Sequence, residues 1–401
     1  MSQQPFLPYA RQSIDDSDIA AVVEVLKTDW LTQGPKIPTF EKAVAARVGA
    51  RHGVAVATGT AALHCACYAA GVGPGDEIIT APITFAASGN CALFLGADVK
   101  FADIRSDTYC MDPAKLEAAI TPKTKAIIPV DFTGQPSDLD EIIAIARNHN
   151  LLVIEDAAHA LGATYKNRKV GAIADMTIFS FHPVKHVAMG EGGMITTDSE
   201  KFDKALRLFR THGITNADSD MQLLDQAADN EALPRDQHNA PTKAGWYYEM
   251  QALGYNYRIT DMQCALGASQ LTKLDQFLKR RQEIAKRYTE AFSASPLLIT
   301  PHQENDRQSA WHLYMLRLRL DQMKKNRRQV FDALRARGIG VHVHYIPLHL
   351  LPYYRERFGY KRNDFPVAEA YYGSALTIPL FPSMQDKDVE RVVEAVLEVV
   401  E

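Results

Sequence analysis

Seven short apolar runs follow one another through the first half of the chain: Val54–Ala57, Glu77–Thr80, Asp98–Ala102, Ala126–Val130, Leu151–Ile154, Met176–Phe181 and Gly193–Thr196. Between many of them lie amphipathic stretches with helical spacing, namely Ala61–Ala70, Phe85–Leu95, Pro113–Ile120 and Leu139–Asn148. The runs are apolar on both faces. Strands of that kind, alternating with helices, predict an α/β fold with a mostly parallel central sheet flanked by helices. In such sheets ligands lie outside the carboxyl ends of the strands.

The polar and reactive residues of this region fall at those ends. Thr58-Gly59-Thr60 closes one strand, Pro82-Ile83-Thr84-Phe85 follows another, and Asp131-Phe132, Asp156 and Ser180 to Lys185 end three more. Gly59 and Thr60 open a helix, where backbone N–H groups and the helix dipole favour an anion. A plain capped turn reads equally well there. Phe85 can stack on a flat ring or pack into the core. Asp156 and His159 sit just past a strand, and a carboxylate facing a pyridine nitrogen keeps that nitrogen protonated. Helix capping by Asp156 and a satisfied histidine are the bland alternatives. Lys185 lies on an irregular turn followed by Gly190-Glu191-Gly192-Gly193. Three glycines in four residues cost conformational entropy, which suggests that something approaches the backbone closely. Burial and nearby cations would make the lysine an imine-forming nucleophile. Together these residues predict that Lys185 holds pyridoxal 5'-phosphate as a Schiff base, with Asp156 at its ring nitrogen and Ser180 at its phosphate. Asn256, in a Tyr-Asn-Tyr-Arg turn, fits either phosphate recognition or plain turn formation.

At 401 residues the chain exceeds one average domain. Residues 1–15 read as an extended arm and 16–260 as the large domain. Residues 216–243 form a long polar, acidic excursion within it. Thr260 or Asp261 is expected to cap one long connecting helix over 261–292, whose charged rear half (Lys279, Arg280, Arg281, Glu283, Lys286, Arg287) reads as solvent-facing. Residues 293–401 are expected to form a small α+β domain with strands at Trp311–Leu318 and Val341–Tyr345 and helices at Gln322–Arg337, Asp364–Ala375 and Gln385–Val400.

The net charge of -4 offers no bulk field for nucleic acid. No apolar run is long enough to span a membrane, and the N-terminus lacks the pattern of a signal peptide. Five cysteines, with Cys65 and Cys67 at a spacing wrong for zinc or a redox pair, read as reduced thiols in the cytoplasm. His342, His344 and His349 invite a metal test. No Cys, Asp or Glu near them in sequence offers a persuasive fourth ligand, so no metal is expected. Recognition of a phosphate or sugar suits His344, Tyr345 and His349 better.

The Gly59-Thr60-Ala61-Ala62-Leu63 turn, the Asp156-Ala157-Ala158-His159-Ala160 box, the Ser180 and Lys185 pair and Gly254-Tyr255-Asn256-Tyr257-Arg258-Ile259-Thr260-Asp261 resemble the DegT/DnrJ/EryC1/StrS family of nucleotide-sugar aminotransferases, nearly end to end. The resemblance implies the fold type I architecture of pyridoxal-phosphate transferases, a homodimer with active sites at the subunit boundary, and a ping-pong cycle. It implies that Lys185 is the Schiff-base lysine and proton shuttle, that Asp156 contacts the ring nitrogen, and that His159 and Phe85 flank the ring. Thr60, Ala61 and Ser180 would hold the phosphate, and Asn256 would reach the phosphate bound by the other subunit.

Four further stretches are similar to the branch of the family that serves pseudaminic acid biosynthesis. They are Pro8-Tyr9-Ala10-Arg11-Gln12-Ser13-Ile14, Asp29-Trp30-Leu31-Thr32-Gln33-Gly34-Pro35, Val130-Asp131-Phe132-Thr133-Gly134-Gln135-Pro136 and His344-Tyr345-Ile346-Pro347-Leu348-His349. That branch implies a UDP-4-keto-6-deoxy amino sugar as acceptor and L-glutamate, leaving as 2-oxoglutarate, as donor. Tyr9, Thr32, His344 and Tyr345 are the expected substrate contacts. A sister transaminase making UDP-4-amino-4-deoxy-L-arabinose or another 4-amino sugar is the near rival. A sugar 3-dehydratase would carry histidine in place of Lys185, and a non-enzymatic regulator that kept the fold would bind no cofactor.

Overall fold

The computed structural model describes residues 5–222 and 246–401. Helix α1 (Asp16–Leu26) begins behind Asp15, whose carboxylate accepts from the amides of Ser17 and Asp18 in a capping box. Helix α2 (Lys36–Val48) ends at Gly49, where a φ of 84° suits a residue without Cβ. Strands and helices then alternate as β1 (His52–Val56), α3 (Gly59–Ala69), β2 (Glu77–Thr80), α4 (Ala87–Leu93), β3 (Asp98–Phe101), α5 (Pro113–Ala119), β4 (Thr124–Ile128), α6 (Leu139–Asn148) and β5 (Leu152–Asp156). Strands β6 (Met176–Ser180) and β7 (Gly193–Thr197) precede α7 (Glu200–Arg210).

The seven strands lie in the order β1-β7-β6-β5-β4-β2-β3. Strand β7 runs antiparallel to its neighbours β1 and β6, and the other pairs are parallel. The carboxyl ends of β1, β2, β4, β5 and β6 therefore open on one edge. Successive strand residues point to opposite faces, and both faces are covered. Ile78, Ile128, Ile154, Ile178 and Ile195 pack with α3 and α4 on one side, while Ile79, Ile127 and Val153 pack on the other. Each such burial contributes about 1.5–3 kcal/mol, which makes the sheet a rigid platform for the loops along its edge.

Helices α8 (Asp261–Thr272) and α9 (Leu274–Phe292) lead to β8 (Tyr314–Leu318), α10 (Arg327–Ala336), α11 (Pro352–Phe358), α12 (Pro366–Ser374), β9 (Ala375–Ile378) and α13 (Asp386–Val400). A second core gathers here, with Ile284, Tyr288, Leu316, Val330, Leu376, Ile378, Val392 and Val396 in one cluster. The N-terminal arm lies across it. Leu7 donates to Gly338 O at 2.9 Å and accepts from Gly340 N at 2.7 Å, and Leu380 N donates to Tyr9 O at 3.0 Å.

Four expectations need correction. The stretch expected as one helix over 261–292 is two helices meeting at Lys273, with Thr260 as the first N-cap. Its rear half is not uniformly solvent-facing, since Arg281 is 1% exposed. The Val341–Tyr345 run is not a strand. It makes a single bridge, His342 to Thr377, and β9 takes the place beside β8. Ala375 thus begins a strand rather than ending a helix. Of the 216–243 excursion, residues beyond Gln222 lie outside the described residues, as do residues 1–4. No helix of the described residues is long and apolar enough to cross a membrane.

Candidate active site

Lys185 stands in the turn between β6 and β7. Lys185 N donates to His182 O at 2.8 Å, Met189 N to Phe181 O at 2.9 Å and Phe181 N to Gly192 O at 2.9 Å, which fixes the turn at both ends. Gly193 is required by close packing, because a Cβ there would lie 2.3 Å from Thr58 O. Burial pushes the Lys185 ammonium down to about 8. The charge of Asp156 opposes that shift and the charge of Arg281 adds to it. The amine Nζ lies 3.5 Å from Nε2 of His312.

Asp156 ends β5 and is buried. Its Oδ2 accepts from Ser88 Oγ at 2.6 Å and its Oδ1 from Ala158 N at 3.2 Å. Ser88 Oγ lies 2.7 Å from Thr84 Oγ1. Burial raises the Asp156 carboxyl, while these donors and the Lys185 charge pull it back toward ionisation. Asp156 caps no helix, and a buried carboxylate that feels a lysine charge at the open edge of a sheet is the kind of arrangement in which functional groups are found.

Three histidines cluster beside Lys185. His159 and His312 have ring centroids 4.3 Å apart, and His186 and His312 5.6 Å. Nε2 of His186 donates to Ala310 O at 2.8 Å, and Nε2 of His159 lies 3.4 Å from the Tyr345 hydroxyl. Burial pushes all three imidazoles well below the usual histidine range, so they are neutral near pH 7. Nδ1 of His159 and of His312 are buried without a protein partner. Arg281, from α9, pins the His312 segment by donating from Nη1 to the carbonyls of Trp311 (3.2 Å), His312 (3.2 Å) and Leu380 (3.0 Å).

At the start of α3, Thr58 is the N-cap and its Oγ1 accepts from Ala61 N at 3.0 Å. The Ala61 amide is therefore taken, and the first amides, of Gly59 and Thr60, are the ones with no acceptor inside the helix. Ser180 lies against them. A Cβ on Gly59 would meet Ser180 Cβ at 3.0 Å and Oγ at 3.1 Å. A hydroxyl, two amides and a helix dipole form an anion cradle there.

Phe85 is 61% exposed, which removes core packing as its role. Its ring centroid is 6.1 Å from that of Tyr345. The arm brings Tyr9 to 5.4 Å from His342 and 5.3 Å from His344. His344 is buried, with Nδ1 2.8 Å from Thr377 Oγ1. His349 is paired instead with Glu369 at 3.0 Å, so the three histidines do not converge. Among the described residues, Asp107, His302 and Glu304 bring ligand atoms together. The Arg105 guanidinium already bridges Asp107 and Glu304 at 2.7 Å each. Asn256 is exposed, bridged through its backbone to Thr211. Thr32 is not brought to the cluster within this chain. Its backbone pairs with Thr260, and the neighbouring Gly34 and Lys36 amides donate to Asp261 at 2.7 and 2.9 Å. The sequence placed Thr84 in a strand-end cluster without a role of its own, and it left Ser88, His312 and Arg281 unmarked as site residues. Only Ser88 left a trace, four residues after Thr84 and therefore on the same side of a helical turn.

The model of the DegT/DnrJ/EryC1/StrS aminotransferase family matches residues 12–397. The chain belongs to that family. It is 47% identical over 396 residues to the spore coat polysaccharide biosynthesis protein SpsC of Bacillus subtilis, covering 98% of this chain and 97% of SpsC. Among solved structures it is similar to Helicobacter pylori PseC, an aminotransferase involved in the biosynthesis of pseudoaminic acid, with a TM-score of 0.87, 29% identity and 98% and 99% of the two chains covered. It is also similar to Spr1654 from Streptococcus pneumoniae in its PLP-form, with a TM-score of 0.87, 30% identity and 99% and 100% covered. The fold is that of the fold type I pyridoxal-phosphate aminotransferases, as the sheet order and its flanking helices lead one to expect. The residues fit the family's cofactor, offering an anion cradle at Gly59, a buried carboxylate, an amine with lowered basicity and an exposed aromatic ring.

Proposed function

We propose that this protein is a pyridoxal-phosphate-dependent sugar aminotransferase that moves the amino group of L-glutamate to the 4-keto carbon of a UDP-linked 4-keto-6-deoxy amino sugar. The single observation that carries the reading is the pairing of Lys185, an amine lowered to about 8, with the buried Asp156. When bound, pyridoxal phosphate supplies an electron sink for the carbon that loses its proton. Lys185 Nζ anchors the cofactor and, once released, carries the proton on and off that carbon. Asp156 holds the proton on the ring nitrogen. His159 and Phe85 flank the ring, and Ser180 and the start of α3, through the Gly59 and Thr60 amides, hold the phosphate, the Ala61 amide being taken by Thr58.

Tyr9, His344 and Tyr345 form the wall toward the sugar, and Thr32 and Asn256 act across the boundary of a homodimer. Large exposed apolar side chains within ten residues of Asn256 in sequence, among them Trp246 (73%) and Leu253 (78%), support the dimer. Five free, buried cysteines support a cytoplasmic location. The product we propose is UDP-4-amino-4,6-dideoxy-N-acetyl-β-L-altrosamine; likeness to PseC, which is involved in pseudoaminic acid biosynthesis, supports that branch, and likeness to SpsC, a spore coat polysaccharide biosynthesis protein, supports a polysaccharide as destination. UDP-4-amino-4-deoxy-L-arabinose is the alternative product.

The test offers the purified protein glutamate with each of several UDP-4-keto sugars and determines the mass and configuration of the product. Amination of the 4-keto-6-deoxy amino sugar in preference to the others is expected. Amination of none of them, by cofactor-loaded protein, overturns the reading.

A further inference from the structure

We propose that Thr84 and Ser88 form a two-hydroxyl relay that orients Asp156 and keeps it a carboxylate against the ring nitrogen of the cofactor, so that both act as positioning residues. The proposal rests on the reading of Asp156 above and deepens it.

Thr84 is 2% exposed and Ser88 1%. Both stand where β2 passes into α4, on either side of Phe85 and Ala86. Hydroxyl residues at such a place usually cap the helix. Here Ala86 is the N-cap and no side chain caps α4, so both hydroxyls are free for the carboxylate. Ser88 Oγ to Asp156 Oδ2 is 2.6 Å, the short distance of a hydroxyl bound to an ionised oxygen. An ionised carboxylate only accepts, so Ser88 must spend its one proton on Asp156. Its oxygen then accepts from Thr84 Oγ1 at 2.7 Å. The direction Thr84 to Ser88 to Asp156 is fixed by that count, and each O–H polarises the next. The Ala158 amide holds the other oxygen, Oδ1, at 3.2 Å.

The remaining charged or titratable neighbours split in sign. Lys185 favours the ionised Asp156, whereas Glu155, whose carboxyl the Asp156 charge helps to raise, opposes it when ionised, and burial keeps the Cys91 thiol and the Tyr345 hydroxyl neutral. Burial opposes ionisation as well. Only the hydroxyl chain, the Ala158 amide and Lys185 act the other way, and the Lys185 nitrogen, once it is an imine, is a weaker base that gives up its proton more readily than the amine. The relay is then the main support for the carboxylate besides one amide and the ring nitrogen itself.

The experiment loads wild-type protein, Ser88→Ala, Thr84→Val and Thr84→Ser with pyridoxal phosphate and follows the visible absorbance band against pH. Affinity for pyridoxal phosphate and apoprotein melting are measured on the same set. Without the Ser88 donor the ring-nitrogen proton is held less firmly. The ring then withdraws fewer electrons, and the Lys185 nitrogen keeps its own proton to higher pH. The expected result is an upward move of the band's midpoint in Ser88→Ala, with kcat down about tenfold and the glutamate KM changed less than about twofold. Thr84→Val shows a smaller move in the same direction, Thr84→Ser restores the wild-type midpoint, and apoprotein melting stays unchanged. A wild-type band whose midpoint and kcat are the same in Ser88→Ala overturns the relay alone. Absence of any band in wild-type protein overturns the functional reading and the relay with it.

Discussion

The amine of Lys185 lies 3.5 Å from Nε2 of His312, a residue 127 positions further along the chain. His312 is neutral because burial and the surrounding cations disfavour its charged form, so Nε2 can accept a hydrogen bond from the amine. The contact would hold the Lys185 side chain in place when it is not bonded to the cofactor. His312→Ala is expected to lower kcat about fivefold to tenfold, the worth of one hydrogen bond, with little change in the glutamate KM. Steady-state kinetics checks this. An unchanged kcat would mean that packing alone aims the lysine.

The lowered basicity of Lys185 sets a pH dependence. The neutral amine is the nucleophile, so the rate at which apoprotein captures pyridoxal phosphate should rise with pH, reach half its maximum near about 8 and then level off. An ordinary lysine would go on rising toward about 10.4. The same shift links to stability. Between about 8 and the ordinary lysine value the unfolded chain binds the extra proton, so the contribution of this group to stability grows with pH across that window. Lys185→Met should remove that slope in denaturant titrations at a series of pH values.

Arg281 is 1% exposed and spends one guanidinium nitrogen on the three carbonyls around His312. Burial pushes it down to about 9, yet a guanidinium stays charged at neutral pH. Arg281→Met deprives those carbonyls of their donor and should cost about 3 kcal/mol in urea unfolding. It also removes a positive charge that disfavours the Lys185 ammonium. The capture profile should therefore move to higher pH. A stable variant with an unmoved profile would contradict both roles.

The sheet was legible because fully buried strands leave continuous apolar runs, and strand ends are where polar residues return. Lys185, Asp156, Ser180 and Gly59 could thus be placed on one edge by counting alone. Arg281 was not legible. It sits among Arg280, Glu283 and Arg287, and only the packing of α9 turns that one arginine inward. Val341–Tyr345 resembles a strand in composition, but its backbone bridges β9 once, and the four wholly buried residues of β9 win the place beside β8. Ser88 and His312 act through partners 68 and 127 positions away, and no local pattern encodes such distances.

Gly59 tests the anion cradle. Alanine there would bring a Cβ to 3.0 Å from Ser180 Cβ and 3.1 Å from its hydroxyl, crowding the space between the first amides of α3 and the end of β6. At the first turn of a helix alanine is well tolerated, so the apoprotein should melt as before. Affinity for pyridoxal phosphate, followed by fluorescence titration, should fall about tenfold, as expected when an oriented set of donors loses its fit.

Reduction of the loaded protein with borohydride, followed by digestion and mass spectrometry, asks most directly which nitrogen carries the cofactor. A phosphopyridoxyl group is expected on the peptide containing Lys185 and to be absent from Lys185→Ala. The same group on a different lysine, or on none, would contradict the site described here.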